Sequence, residues 1–583
     1  MEECTGFEGR FVKMEPLQKG WSSDKKYVAE DADGKVLLLR IADQSAGPRR
    51  KAEYDMMRKA AALGVPMPQP LEFGTCNGGQ SVYTLFSWCE GEDAEAVLPE
   101  LTDTEQYVLG WQSGEMLKRL HSIPAPAELE EWEHRFGRKI RSKVEKYQAC
   151  GIRFDGDGEV MAYIEQNLRL LANRPQCYQH GDYHVGNMVI SPELGLSVID
   201  FDRSDFGDPW EEFNRIVWSA HISPHFATGQ LNGYFGGRPP EEFFRLLALY
   251  IAVNTLSSVP WAMPFGEEEV AVMLKQAGQV LAWFDGMGNP VPAWYLGEPC
   301  IQYLDGLPYR LKTPFDLSFV SGYGRVFKIF DDQDSGNICF GVETDGKRLF
   351  IKYAGAPTQR YDGEPEDAIG RLKATVPVYQ DLAHPHLVRL LGAEEIGGGY
   401  AAVFEWSGAE CMSRQYPRSR KRFQQMTPEA RLSVFADILD FHAHVAEKGY
   451  VAIDFYDGSI MYDFSLGKTV ICDIDVYAKR PYTNRMGRMW GSSRFMAPEE
   501  FQLGAAIDEV TNVYLMGATA FVLFAGNDRT REGWPLNGDL YEVAARAVCP
   551  ERSGRQASIR QFMAEWFSAG GGSAAQAAAR DGG

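Results

Sequence analysis

The chain has 583 residues, too many for one ordinary hydrophobic core; length alone allows two large domains or roughly three to four smaller ones. Hydrophobic content of 45% and charged content of 24% are those of a globular protein. The net charge of −21, from 59 basic and 80 acidic residues, argues against a general nucleic-acid binder, which needs clustered Lys and Arg to meet phosphates.

The first ten residues are acidic and lack the apolar stretch of a signal peptide. No run approaches ~18 consecutive apolar residues, so no membrane span or membrane partner is expected. Ten scattered cysteines form no close C-x-x-C pair, which speaks against a zinc cage and for reduced thiols in a cytoplasmic protein. In chain order, strands are expected over 25–30 and 36–41 around a turn at 31–35, then a helix over 47–63. The stretch 64–70, with Pro66, Pro68 and Pro70, must break that helix. A strand over 81–88 follows. Thr102 and Glu105 form a capping box that opens a helix with Leu109, Met116, Leu117 and Leu120 on one face. The pattern then stays mostly helical to about Trp283. Residues 286–309 are rich in Gly, Pro and aromatics and read as a linker. Strands are expected again over 325–330, 337–343 and 348–353. Thr427, with Pro428 after it, caps a helix whose Leu432, Phe435, Ile438, Leu439 and His442 share a face. The tail 569–583, rich in Gly and Ala, is expected to be disordered. One layout, a β-rich segment followed by a larger helical one, thus occurs twice.

The most informative stretch is 178–202. Asp182 is followed five residues later by Asn187, and two short apolar runs flank a turn with Pro192 and Gly195. A strand–turn–strand of that length returns Asp200 to the neighbourhood of Asn187. An acid, an amide and a second acid then converge. Phosphoryl transfer needs such a set: an acid to take a hydroxyl proton, and oxygen ligands for magnesium.

His180-Gly181-Asp182-Tyr183-His184-Val185-Gly186-Asn187, Val198-Ile199-Asp200-Phe201-Asp202 and Gly207-Asp208-Pro209 resemble the aminoglycoside phosphotransferase and choline-kinase-like superfamily over about 10–285. The resemblance implies a bilobal kinase-like fold with ATP between the lobes. It makes Asp182 the catalytic acid and Asn187 and Asp200 the Mg2+ ligands. His184 stands where protein kinases commonly place a lysine facing the transferred phosphate; a packed histidine is the competing reading. His180 is expected to hold the loop. In the small lobe, Gly20, Ser22 and Ser23 fall where a phosphate-covering turn belongs. Arg40 takes the place of the usual strand lysine, with Glu53 on the next helix as its ion-pair partner or as a plain solvated residue. Asp205, Asp208, Glu211 and Glu212 offer acids to an amine on the acceptor, although Asp208 reads better as a brace. Trp210, Trp218 and Trp261 line a pocket or, by default, pack in the core.

Residues 310–568 resemble the eukaryotic-type protein kinase fold, with departures. Phe350-Ile351-Lys352 matches the strand lysine, which the resemblance places on ATP. Ala452-Ile453-Asp454 stands for His-Arg-Asp, Cys472-Asp473-Ile474-Asp475 for Asp-Phe-Gly, and Met496-Ala497-Pro498-Glu499 for the segment ending in Ala-Pro-Glu. Arg555 is the expected partner of Glu499. Ser459 replaces the metal-binding Asn, Thr375 falls near the place of the regulatory glutamate, and Asn512 replaces an aspartate. By resemblance Asp454 is catalytic, and Ser459 and Asp473 are metal ligands.

The expected fold class is therefore α+β: two tandem bilobal protein-kinase-like domains, each a small antiparallel β lobe plus a larger helical lobe. Their expected bounds are 10–285 and 310–568. The expected function is ATP- and magnesium-dependent transfer of the γ-phosphate to a hydroxyl of a small, aminoglycoside- or choline-like molecule by the first half. The alternatives are a Ser/Thr protein kinase acting on a protein substrate through the second half, or a nucleotide-binding pseudokinase there.

Overall fold

A computed structural model describes residues 6–7, 9–17, 24–414 and 416–570. The chain divides into two compact units, Met1–Pro299 and Cys300–Gly583.

The first unit opens with an antiparallel sheet. In spatial order its strands are Phe11–Pro16, Lys25–Asp31, Val36–Asp43, Ser81–Ser87 and Pro70–Cys76. The middle strand, Val36–Asp43, is buried on both faces at Leu37, Leu39, Arg40 and Ile41. The helix Gly47–Ala62 starts with Pro48 in its first turn and buries Tyr54, Met57 and Ala60. Residues 64–69 do break the chain away from that helix, but Pro70 then begins a strand. It does so at the sheet edge and at the first strand position, where a missing N–H breaks no ladder.

The capping box forms as expected. Glu105 N donates to Thr102 Oγ1 at 3.1 Å, and Thr102 N donates to Glu105 Oε2 at 2.9 Å. The helix it opens, Asp103–Leu120, crosses Pro224–Phe235 with almost no separation. A Cβ at Gly110 would collide with Phe226 O, and one at Gly229 with Tyr107 O; Gly114 and Gly233 meet backbone in the same way. Glycine is required at this crossing because the two backbones touch. The helix Glu241–Ala262 runs through the middle of the helical layer. It is long and apolar enough to cross a membrane by length and composition, unlike what the absence of a continuous apolar run suggests, yet two thirds of its apolar window is buried inside the unit. Its apolar surface is covered by the helices Trp132–Ala149, Asp157–Asn167 and Glu267–Trp283.

Residues 286–309 are not a bare tether. Trp294 is buried in the first core, Asn232 Nδ2 donates to Gly297 O at 2.8 Å, and Tyr295 OH donates to Asn232 Oδ1 at 2.8 Å. From Cys300 the chain forms a hairpin, Cys300–Leu304 with Leu307–Leu311, turning on Asp305-Gly306. The Gly and Pro residues mark turns between packed aromatics.

The second unit repeats the strand order: Arg325–Phe330, Asn337–Thr344, Lys347–Ala354, Gly399–Glu405 and Leu390–Ile396. The helix Pro365–Asp381 accompanies this sheet. Below it lie Pro428–Glu447, capped by Thr427 as expected, and Glu509–Ala525. Phe435, Phe524, Trp534, Phe562 and Trp566 interlock by edge-to-face and stacked contacts at its base. The helix Ile559–Ala569 carries order to the start of the expected tail, and 571–583 lie outside the described residues.

Candidate active site

The hairpin predicted around Pro192 forms, with Met188 opposite Val198 and Ile190 opposite Leu196. Ile199 N donates to Asn187 O at 2.9 Å, so Asn187 and Asp200 emerge side by side at its open end. Asp200 has φ 63°, a left-handed conformation that turns its carboxylate out of the strand. Among the described residues that carboxylate has no hydrogen bond or ion pair. Asn187 Nδ2 donates to Asp182 O at 2.9 Å, which turns its Oδ1 outward. Two hard oxygen donors without protein partners suit a divalent cation that keeps several waters. No group of three or more His, Cys, Asp or Glu able to hold a metal occurs among the described residues.

Asp182 sits on a loop held from several sides. Gly181 has φ 84°, and a Cβ there would collide with Arg203 O. Its N–H donates to Glu212 Oε1 at 2.9 Å. His180 is fully buried. Asp182 N donates to its Nδ1 at 3.3 Å, so Nε2 carries the proton and donates to Ile199 O at 3.0 Å. Burial pushes the His180 pKa down, which keeps this neutral tautomer. His180 thus ties the Asp182 loop to the Asp200 strand, the structural role its position suggests.

The surroundings of Asp182 are cationic. Arg215 Nε lies 3.3 Å from Oδ1, out of line for a hydrogen bond, His184 Nε2 lies 3.7 Å from Oδ1, and Arg203 Nη1 lies 3.7 Å from Oδ2. Burial raises the carboxyl's pKa, but His184, Arg215 and Arg203 outweigh it and hold the group well below the usual carboxylate range. His184 Nδ1 accepts from Gly186 N at 3.1 Å, which aims the protonated Nε2 at the acid. Neither arginine is marked by the motif. Arg203 follows Asp202 directly; Arg215, twelve residues further on, carries no local signal.

Arg40 and Glu53 do pair, at 2.9 Å, within a larger cluster. Arg40 also bonds Asp24 at 2.6 Å and Asp202; Arg50 reaches Asp24 at 2.7 Å, Glu53 at 2.6 Å and Asp202 at 2.9 Å. Three of the five N–H groups of Arg40 are directed at Asp24, Glu53 and Asp202. Arg40 thereby ties the sheet to the Asp200–Asp202 loop: an arginine fork bridges several acids where a lysine would present one point charge. Gly20, Ser22 and Ser23 lie outside the described residues.

The acids offered to an amine are dispersed. Asp208 is fully buried and accepts from Arg174 at 2.7 and 3.0 Å, Tyr250 OH at 2.6 Å and Trp210 N at 2.9 Å. Glu212 is buried behind Gly181, and Glu211 accepts from Gln179 at 3.3 Å. Trp210 lies under Arg174 and against Phe243; Trp218 stands beside His184; Trp261 is half exposed and packs at a tilt against Phe265.

The second unit holds a related arrangement. Cys472 N donates to Ser459 O at 3.0 Å, and Asp473 has φ 55°, matching Asn187 and Asp200. Lys352 Nζ bridges Asp473 at 3.2 Å and Asp475 at 2.5 Å. The residue facing this pair from the helix Pro365–Asp381 is Tyr379, whose OH donates to Asp475 Oδ1 at 3.1 Å. Thr375, the position expected there, instead bonds Leu372 O within its own helix. Asn512 clasps Ala452 with both amide atoms, each at 2.8 Å. An aspartate could accept but not donate there, so the amide is what this geometry requires. Glu499 meets Arg555 at 2.7 and 3.0 Å, as the resemblance implies. Asp454 differs from Asp182: burial, Asp473 and Asp334 push it up to about 7, with only Arg488 opposing. Ser459 Oγ is buried without a hydrogen-bond partner.

Residues 13–244 match the family model described as APH, phosphotransferase enzyme family. No curated protein matches the chain. Similar solved structures include a GDP complex of an aminoglycoside 2'-phosphotransferase-IIIa mutant, at 14% identity and TM-score 0.38, covering 48% of this chain and 94% of that one. An amicoumacin kinase with AMP-PNP, Ca2+ and Ami gives 12%, 0.36, 49% and 93% in the same order. A gentamicin–APH(2")-IIa complex gives 15%, 0.35, 47% and 93%. The match to the phosphotransferase enzyme family thus lies wholly within the N-terminal unit.

Proposed function

We propose that the first unit transfers the γ-phosphate of ATP to a hydroxyl group of a small molecule, with magnesium bound at Asn187 and Asp200. The observation that carries this reading is the convergence of Asp182, Asn187 and Asp200 at the open end of one hairpin inside a phosphotransferase-family domain. Asp182 accepts the hydrogen bond of the acceptor hydroxyl and takes its proton as the oxygen attacks phosphorus. Its depressed pKa keeps it ionised at neutral pH, so it is always ready to accept and contributes mainly by orienting the nucleophile. Magnesium, when bound, neutralises charge on the phosphates. Arg203 and Arg215 hold the Asp182 carboxylate charged, and His184 directs its Nε2 toward it. Replacing Asp182 by Asn keeps shape and removes the base; ADP production with hydroxyl acceptors is expected to fall by about 10²–10⁴-fold. Unchanged ADP production in Asp182→Asn, across a screen of neutral, anionic and amino alcohols, would sink this reading.

A second reading concerns the other unit. Its strand order repeats that of the first, and Lys352 is held by Asp473 beside Ser459. We infer that it binds nucleotide in a kinase-like cleft of its own.

A further inference from the structure

The acceptor of the first unit carries negative charge next to its hydroxyl: we propose that Arg203 and Arg215 select a hydroxy acid or a phosphorylated alcohol over an amino alcohol. This rests on the phosphotransferase reading above and departs from the amine acceptors that its motif first suggests. Wherever the hydroxyl is activated, it must lie at Asp182, so the charges around Asp182 are those the acceptor meets.

Those charges are in excess. Arg203 and Arg215 share one carboxylate at 3.7 and 3.3 Å, and Arg203 is 53% exposed, so much of its guanidinium faces solvent. On the helix Trp132–Ala149, Lys139 approaches Glu211 only to 3.9 Å, and Lys143 has no ion pair among the described residues. Burial, with lesser repulsion from Lys139 and Arg215, pushes Lys143 down to about 8 against the opposing attraction of Glu211. Two of the acids offered to an amine are engaged elsewhere, Asp208 by Arg174 and Tyr250 and Glu212 by Gly181 and His121, while Asp205 stays exposed two residues past Arg203. An ammonium group placed here meets like charge, whereas a carboxylate or phosphate meets a guanidinium fork suited to it.

The test uses the full chain with Mg-ATP and three-carbon acceptors that differ in charge: glycerol 3-phosphate, glycerate, glycerol and 3-amino-1,2-propanediol. ADP formation is expected to favour the anions over the amine by about tenfold or more in kcat/KM, the effect of one partly screened charge pair. Arg203→Gln and Arg215→Gln are expected to raise KM for the anions and flatten the series while KM for ATP stays within about twofold. A preference for the amine, or a rise in KM for ATP with none for the acceptor, overturns the assignment; the latter would give the arginines to the nucleotide. If no acceptor yields ADP, the phosphotransferase reading fails, and calorimetric titration with glycerol 3-phosphate still decides the charge assignment. Binding that weakens in the double arginine variant upholds it, and equal or absent binding refutes it.

Discussion

At the scale of single residues, the two units offer an internal comparison. Asn187 and Ser459 occupy the same place at the base of matching hairpins, yet Asn187 is oriented by its bond to Asp182 O, whereas Ser459 Oγ is buried and unpaired. A serine cannot both donate to that carbonyl and present an oxygen to a cation at amide reach. Asn187→Ser is therefore expected to lower ADP production by about 10–100-fold and to raise the magnesium concentration needed for half-activity, by loss of one ligand and its support. A titration of activity against magnesium checks this; an unchanged midpoint would remove Asn187 from the metal. A different residue governs pH. His442 is fully buried, its Nδ1 beside Ile438 O at 2.7 Å and its Nε2 beside Tyr477 OH at 3.0 Å, and burial pushes its pKa down to about 4. Its folded value lies below its unfolded value, so the unfolded chain binds the extra proton first. The stability it contributes is full above about pH 6.5 and is lost as pH falls toward 4, by roughly 3 kcal/mol at most. His442→Gln, which cannot titrate, is expected to flatten the fall in melting temperature of the second unit over that window.

At the scale of elements, the crossing of Asp103–Leu120 with Pro224–Phe235 sets the position of everything attached to it. Tyr183 OH donates to Ser113 O at 2.8 Å, and Gln230 Nε2 donates to Ser113 Oγ at 3.0 Å. The loop after Asp182 is thus anchored on the same helix whose glycines admit its neighbour. Gly114→Val puts a branched side chain where Gln230 O and Tyr234 N already lie. The helices must separate, at a cost of about 3 kcal/mol or more. Thermal melting should show the first unit destabilised by several degrees and the second unit unmoved; an unchanged first transition would mean that the close crossing is not formed.

At the scale of the whole molecule, each unit has its own core: one centred on the helix Glu241–Ala262, the other on Pro428–Glu447 and Glu509–Ala525. Calorimetry of the full chain is expected to resolve two transitions. Mg-ATP should raise both, by RT ln(1 + [L]/Kd) for each site, about 2.7 kcal/mol at a hundredfold excess over Kd. Lys352→Met should abolish only the upward shift of the second unit. A second transition indifferent to nucleotide in the unmutated chain would refute the nucleotide-binding reading of that unit.

Much of the architecture was legible in local chemistry. Capping residues, proline positions and apolar spacing foretold the helices Asp103–Leu120 and Pro428–Glu447, because those signals act within a turn or two of the chain. The hairpin that brings Asn187 to Asp200 was legible for the same reason: its turn residues and apolar runs are contiguous. The edge strand Pro70–Cys76 and the packed stretch 286–299 were not, since Pro and Gly mark a turn whether or not its flanks are buried. Charge at the site was the least legible. The sequence by itself determined which acid stands five residues before an amide and which acid ends the hairpin. Only the tertiary structure decided that Arg40 faces three carboxylates, that Tyr379 stands where Thr375 was expected, and that Arg203 and Arg215 surround Asp182. Electrostatic environment is a sum over neighbours in space, and those neighbours come from segments tens to hundreds of residues apart.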